Sequence, residues 1–142
     1  MRKLVVDSSV VIKWFVPEPL SNEARRVLDD YQTGAVRVLA PDLIIAEVGN
    51  IVWKKRSFQG LADDDARAVL DQFLRLTLTL TPTQELLDDA YGLAVAYGRS
   101  VYDAFYLALS IRESCPFVTA DERLTNAVKA GLPEVTWLGD WR

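Results

Sequence analysis

At 142 residues, half of them hydrophobic and with a formal net charge of −4, the chain is long enough for one domain with its own core and is not of disordered composition. The acidic balance, with a pI near 4.8, argues against a general nucleic-acid binder, because phosphate affinity usually comes from Lys and Arg; a local basic patch can override it. No apolar run approaches the roughly 20 residues of a membrane span, and Met1-Arg2-Lys3 leads too quickly to an acid to open a signal peptide, so the expectation is one soluble, cytoplasmic domain over 1–142.

Leu4-Val5-Val6 reads as a short buried strand ending at Asp7. Ser8 and Ser9 can cap a helix from Val10 to Val16, stopped by Pro17 and Pro19. Apolar residues at 24, 27, 28 and 31 predict a helix ended by Gly34, and Val36 to Ala40 a second strand. Pro41 opens a helix to about Ser57. After Gly60, Asp63 can cap a helix with its stripe at 66, 69, 70, 73 and 74. The Leu/Thr alternation from Leu76 to Thr81 is a strand signal, and the stripe 86, 87, 90, 91 and 94 a helix ended near Gly98. Pro116 to Ala120 is another strand, Asp121 caps a helix through Lys129, and Val135 to Leu138 closes the chain as a strand. Strands alternating with helices predict an α/β fold with a parallel sheet covered on both faces. No repeat, linker or low-complexity segment interrupts it.

The segment Ser100 to Ser110 is the centre of this pattern. From Val101 to Ile111 it is apolar on almost every side, as a buried helix is. Ser100 is its N-cap and Asp103 falls in its first turn, so a carboxylate sits where the chain enters the interior. Asp103 can simply complement the positive end of the helix. Asp7 and Asp121 each follow a strand and point to the same sheet edge, where sites of open α/β sheets lie; both can also be ordinary caps. Glu47 has Leu43, Ile44 and Ile51 as its helical neighbours, so it interrupts an apolar stripe and is not on a wet face. Acids from separated segments brought to one place repel one another, a cost that a cation removes. Lys54, Lys55 and Arg56 read first as a solvated helix end and only weakly as phosphate contacts.

The chain has no histidine and one cysteine. That excludes Ser-His-Asp and Cys-His catalysis, His-based acid–base chemistry and ordinary zinc sites. An internal disulfide is also excluded, and Cys115 reads as inert packing in a reducing compartment. A hydrolase of this composition would make its nucleophile from water with a hard, oxygen-bound metal, magnesium or manganese.

Val5-Val6-Asp7-Ser8-Ser9, Pro41-Asp-Leu-Ile-Ile-Ala-Glu47-Val, Val101-Tyr-Asp103-Ala-Phe-Tyr-Leu-Ala and Val118-Thr119-Ala-Asp121, in that order, resemble the PIN domain, and most closely the VapC-type toxins of toxin–antitoxin pairs. The resemblance covers essentially the whole chain. It implies an α/β/α sandwich around a central parallel sheet, a Mg2+- or Mn2+-dependent endoribonuclease, an RNA substrate, a VapB-like antitoxin that occludes the site, and a homodimer. It maps the acids onto Asp7, Glu47, Asp103 and Asp121, with Asp7 and Asp103 as the metal ligands. The polar residue after the first acid maps to Ser8, with Ser9 as the second choice, and a supporting hydroxyl to Thr119. Some members carry a further acid where this chain has Arg123, which leaves the number of metal ions open, with a single ion as the expectation.

On this reading a metal-activated water attacks in line, leaving a 5′-phosphate and a 3′-hydroxyl. The competing readings are a PIN nuclease of RNA processing without an antitoxin, a PIN fold kept as an inactive binding module, and a phospho-accepting receiver domain. The inactive module usually lacks an acid, and all are present here. The receiver needs an Asp after a middle strand and a Lys after a late one, which this chain does not offer.

Overall fold

The strand β1 (Arg2–Val6) lies at the centre of a five-stranded sheet in the order β3-β2-β1-β4-β5, flanked by β2 (Val36–Pro41) and β4 (Phe117–Thr119). The edges are β3 (Thr79–Thr81) and β5 (Val135–Trp137). The computed structural model describes residues 2–141. Every pairing is parallel, with Leu4 opposite Val38 and Val6 opposite Val118. Consecutive residues Leu4, Val5 and Val6 are all fully buried, which requires cover on both faces of the sheet and explains why they form a continuous apolar run.

The cover comes from α1 (Ser8–Val11), α2 (Ser21–Gln32), α3 (Leu43–Phe58), α4 (Asp63–Leu74), α5 (Thr83–Tyr97), α6 (Val101–Glu113) and α7 (Glu122–Val128). The expected α/β/α sandwich with a central parallel sheet is therefore the fold observed. The helix α6 is buried from Ala104 to Ser110, packing on α5, β1 and β2. Gly98, in the left-handed region at φ +64°, ends α5 and lets the chain turn directly into α6. No helix among the described residues is long and apolar enough to cross a membrane.

Several boundaries differ from the sequence reading. The helix expected over Val10–Val16 is α1 followed by a tighter 3-10 turn, Ile12–Trp14. It starts earlier because Asp7, not Ser8 or Ser9, is the N-cap: its carboxylate accepts the Ser9 N–H. Pro41 does not open α3; it ends β2 in register with Thr81, and Asp42 donates its N–H to the Thr81 carbonyl. Proline is tolerated there because the bond to β3 comes from the next N–H, and the pairing with β1 has already ended at Leu39. Asp63 is the first residue of α4 and not its cap, which is Ala62. The Leu76–Thr81 strand is only Thr79–Thr81, and β4 and β5 are each shorter than expected by a residue or two.

The topology fixes where a site can form. The chain runs outward from β1 through β2 to β3, then crosses back to place β4 on the other side of β1. The order reverses between β1 and β4, and crevices of open α/β sheets lie outside the carboxyl ends of the strands at such a point. Asp7 follows β1 and Asp121 follows β4 there. Because α6 delivers the chain to the start of β4, its own first turn, with Asp103, lies at this same edge.

Candidate active site

Asp7 is held at the end of β1 with 9% of its surface exposed. One carboxylate oxygen accepts from the Ser9 N–H at 3.1 Å and the Ser9 hydroxyl at 2.5 Å; the other accepts from the Thr119 hydroxyl at 2.6 Å. Those hydroxyls in turn accept backbone N–H groups beyond β4: Ala120 to Ser9 at 3.0 Å and Asp121 to Thr119 at 3.1 Å. Ser9 and Thr119 thus stitch the ends of the two central strands around one carboxylate. Burial nevertheless pushes the Asp7 carboxyl up to about 6; the hydroxyl bonds offset this only in part, and the Glu47 charge adds to it.

Glu47 projects from α3 toward the same edge. Its Oε1 accepts from the Tyr106 hydroxyl at 2.5 Å and, more loosely, from Ser8 at 3.5 Å. Tyr106 is buried in α6 and stacked on Phe117 of β4, centroids 5.6 Å apart, so its hydroxyl has little freedom. Burial raises the Glu47 carboxyl and the Asp103 charge adds to this, against the Tyr106 bond. The Tyr106 phenol is raised by burial and by Glu47, which keeps it a neutral donor.

The other two acids share one cation. Ser100 caps α6 as expected, its hydroxyl accepting the Asp103 N–H at 3.1 Å. Arg99, immediately before that cap, places Nη2 at 3.2 Å from Asp103 Oδ2 and 3.6 Å from Asp121 Oδ2. The remaining oxygen of Asp121 caps α7, accepting the Leu124 N–H at 3.1 Å. The ordinary cap reading of Asp7 and Asp121 is thus realised, and each carboxylate also reaches beyond its own helix. Burial raises the Asp103 carboxyl; Arg99 opposes this and Asp121 reinforces it.

The four acids form a chain of repulsions, Asp7 with Glu47, Glu47 with Asp103, Asp103 with Asp121, against a single arginine. Their oxygens are the hard donors that magnesium or manganese takes. As the side chains stand, no group of three or more acids among the described residues converges enough to enclose an ion. The reason is visible in the contacts: the oxygens are turned to hydroxyls, to backbone N–H groups or to Arg99. The donor set fits a hard cation in kind, and its closure requires those contacts to loosen.

The basic run at the end of α3 is divided. Lys54 is exposed, Lys55 is held by Glu18, and Arg56 lies 3.5 Å from Asp63. Three residues of the site escaped the sequence reading or were ranked low in it. Tyr106 lies three positions after Asp103, a spacing that puts both side chains on one face of α6, while Arg99 sits just before the Ser100 cap, outside any helix, so of the two only Tyr106 follows from helical spacing. Ser9 binds Asp7 more closely than Ser8 does anything, a choice set by the turn of α1 that sequence spacing does not resolve.

The PIN domain family matches residues 4–130. Ribonuclease VapC3 of Pyrobaculum aerophilum is 33% identical over 130 residues, covering 90% of this chain and 96% of that protein. Among solved structures, the sarcin-ricin loop cleaving toxin VapC20 of Mycobacterium tuberculosis superposes with a TM-score of 0.64 at 16% identity, covering 87% of this chain and 94% of that one. A toxin–antitoxin complex from Klebsiella pneumoniae gives a TM-score of 0.59 at 20% identity, over 94% of this chain and 95% of that one. At those identities the two structures speak for the fold.

Proposed function

This chain belongs to the PIN domain family, and from that premise we propose that it is a divalent-metal-dependent endoribonuclease acting as the toxin of a toxin–antitoxin pair. The observation that carries the reading is the acid cluster itself: Asp7, Glu47, Asp103 and Asp121 come from four separate segments to the switch point of a parallel sheet, with fewer cations than charges. The relative VapC3, named a ribonuclease, supports RNA as the substrate.

Asp7 and Asp103 would hold a Mg2+ or Mn2+ ion, with Glu47 and Asp121 completing its surroundings. Bound there, the ion supplies a water of lowered pKa and an electrophile for the scissile phosphate. Ser9 and Thr119 hold the Asp7 carboxylate at the end of β1 and so orient it toward the other acids. Tyr106 aims Glu47, whose raised carboxyl can accept a proton from the attacking water nearer neutrality than an ordinary glutamate. Attack of water on phosphorus and departure of the 3′-oxygen leave a 5′-phosphate and a 3′-hydroxyl.

A toxin of this kind has protein partners. Trp53 and Phe58 at the end of α3, and Leu87, Tyr91 and Val95 along α5, are more than half exposed and leave apolar surface for a VapB-like antitoxin and a second copy of the chain. Light scattering across a concentration series and co-purification with the product of the neighbouring reading frame test these partners. The activity is tested by incubating defined RNAs with the protein in magnesium, in manganese and in EDTA. Cleavage in the metals, its loss in EDTA and in Asp7→Asn and Asp103→Asn, and 5′-phosphate ends are the expected results. Equal cleavage in EDTA would remove the metal from the reading.

A further inference from the structure

Arg99 is the cation nearest the acid cluster, and its own bonding is incomplete. Its side chain is 25% exposed and spans Asp103 and Asp121 through one terminal nitrogen. The Nε atom is buried and has no hydrogen-bond partner among the described residues. A buried guanidinium N–H without an acceptor is a standing cost. An arginine placed only to hold Asp103 would lie flat against it with two parallel bonds, the geometry its fork favours. Here the contact is single-ended and divided between two helix starts, α6 and α7. That is a counter-ion shared between acids, not a completed bridge.

Position sharpens the point. Arg99 lies in the three-residue connection between α5 and α6, just after the left-handed Gly98 and before the Ser100 cap. Its charge therefore comes from the connection between two helices and not from the middle of either, and its backbone N–H is bonded to the Ala94 carbonyl. Asp103 is the carboxylate Arg99 contacts most closely, and it is also a carboxylate that the metal reading above requires.

We infer that Arg99 is a built-in competitor for the metal: it neutralises Asp103 and Asp121 when no ion is present and must release Asp103 before one can bind. Resting on the metal-dependent reading, this makes Arg99 a positioning residue that sets metal affinity. The site would then fill only above a threshold concentration of divalent cation, while the acids stay neutralised below it. Once released, the guanidinium remains beside Asp121 with a free N–H edge, suited to a phosphate oxygen of the RNA.

The test is direct binding of Mn2+, followed by loss of the free-ion signal in electron paramagnetic resonance and by calorimetry, for the wild type, Arg99→Gln, Arg99→Lys and Arg123→Gln. Arg123 lies two residues past Asp121 and forms no ion pair with any of the four acids, so its loss reports the bare change in net charge. Arg99→Gln should bind Mn2+ about tenfold or more tightly than the wild type, because a half-buried ion pair no longer opposes it. Arg99→Lys, which keeps the charge but not the fork, should fall between, and Arg123→Gln should stay near the wild type. A structural role for Arg99 moves affinity the other way, since a slackened α5–α6 junction would loosen the acids. Equal or weaker binding by folded Arg99→Gln, or an Arg123→Gln gain matching that of Arg99→Gln, overturns the inference; if Arg99→Gln fails to fold, Arg99→Lys binding no tighter than the wild type does the same. Absence of Mn2+ binding in every variant overturns the metal reading and this inference together, a pattern distinct from equal binding in all.

Discussion

Two charged clusters in this molecule are built in opposite proportions. At the carboxyl edge of the sheet, Asp7, Glu47, Asp103 and Asp121 share one arginine, and burial together with mutual repulsion pushes three of the carboxyls up. At the loop after the first 3-10 turn, one acid, Glu18, is held between two lysines: Lys13 at 2.9 Å and Lys55 from α3. Burial pushes the Glu18 carboxyl up as well, but the lysine contacts outweigh it and hold it below the usual range. The second cluster has what it needs. It ties the Pro17–Pro19 loop to α3 and asks for no further partner. The first is short of positive charge in the folded state, a deficit that protonation of the raised carboxyls or a bound cation relieves. The contrast separates a balanced contact that holds the fold from an unbalanced cluster, the one proposed above to take a cation.

The largest effect expected is on chemistry at the acid edge. Glu47→Gln keeps an acceptor for Tyr106 and removes the charge, so the protein should fold as before while the RNA cleavage rate falls by ~10²-fold or more. A destabilised but fully active variant would move Glu47 into the structural class that Glu18 represents. In that class, Glu18→Gln leaves two largely buried lysines facing a neutral amide and should lose roughly 1–3 kcal/mol at pH 7, read from urea unfolding. The pH dependence has a definite sign. A carboxyl with a depressed folded pKa contributes stability above its unfolded value, and this is lost as pH falls through the folded one. The gap between wild type and Glu18→Gln should therefore narrow below about pH 4.5, the ordinary value for the group.

Much of this contrast was legible before the structure, and the part that was not has a common cause. Asp7 and Asp121 stand out because each ends an apolar strand run, Asp103 because it opens a helix apolar all round, and Glu47 because it breaks an apolar stripe. The fold class follows from the alternation of the same runs, and the parallel sheet bears it out. Chain-local pattern does not show which side chain answers each acid. The Thr119 hydroxyl reaches Asp7 across 112 positions and Tyr106 reaches Glu47 across 59, and such pairings depend on strand order. Lys55 likewise reads as a free member of a basic run until Glu18 is brought to it from the far side of α2. Asp7 and the two serines after it are all good caps by sequence, and only the folded turn shows that Asp7 takes the role and starts α1 at Ser8.

Asp7 sharpens the comparison from the other direction. Its carboxyl is raised to about 6 from an ordinary 3.8, so the folded protein favours the protonated form. The associated stability is present below pH 3.8 and lost as pH rises through 6. In EDTA at pH 7.5, Asp7→Asn should be more stable than the wild type by on the order of 1–2 kcal/mol, with the gap closing toward pH 4. Its sign is opposite to that of Glu18→Gln, and a loss of stability at pH 7.5 would mean that Asp7 is held as firmly as Glu18 is. The smallest effect is at Lys54, the exposed member of the basic run. Lys54→Ala should leave melting unchanged and weaken RNA binding by a few-fold at low salt, as for one phosphate contact, whereas Lys55→Ala should act on stability.

The most direct measurement is thermal melting in EDTA and in millimolar Mg2+ or Mn2+ for the wild type, Asp7→Asn, Asp103→Asn and Glu18→Gln. An ion that binds only the folded acid edge stabilises it by mass action, about 2.7 kcal/mol at a hundred times its Kd, or several degrees in a chain of this size. The wild type and Glu18→Gln should both gain those degrees, the latter from a lower starting point, while Asp7→Asn and Asp103→Asn should gain little or nothing. An equal gain in all four proteins, or none in the wild type, would contradict the claim that the acid edge is the place where this fold takes up a cation.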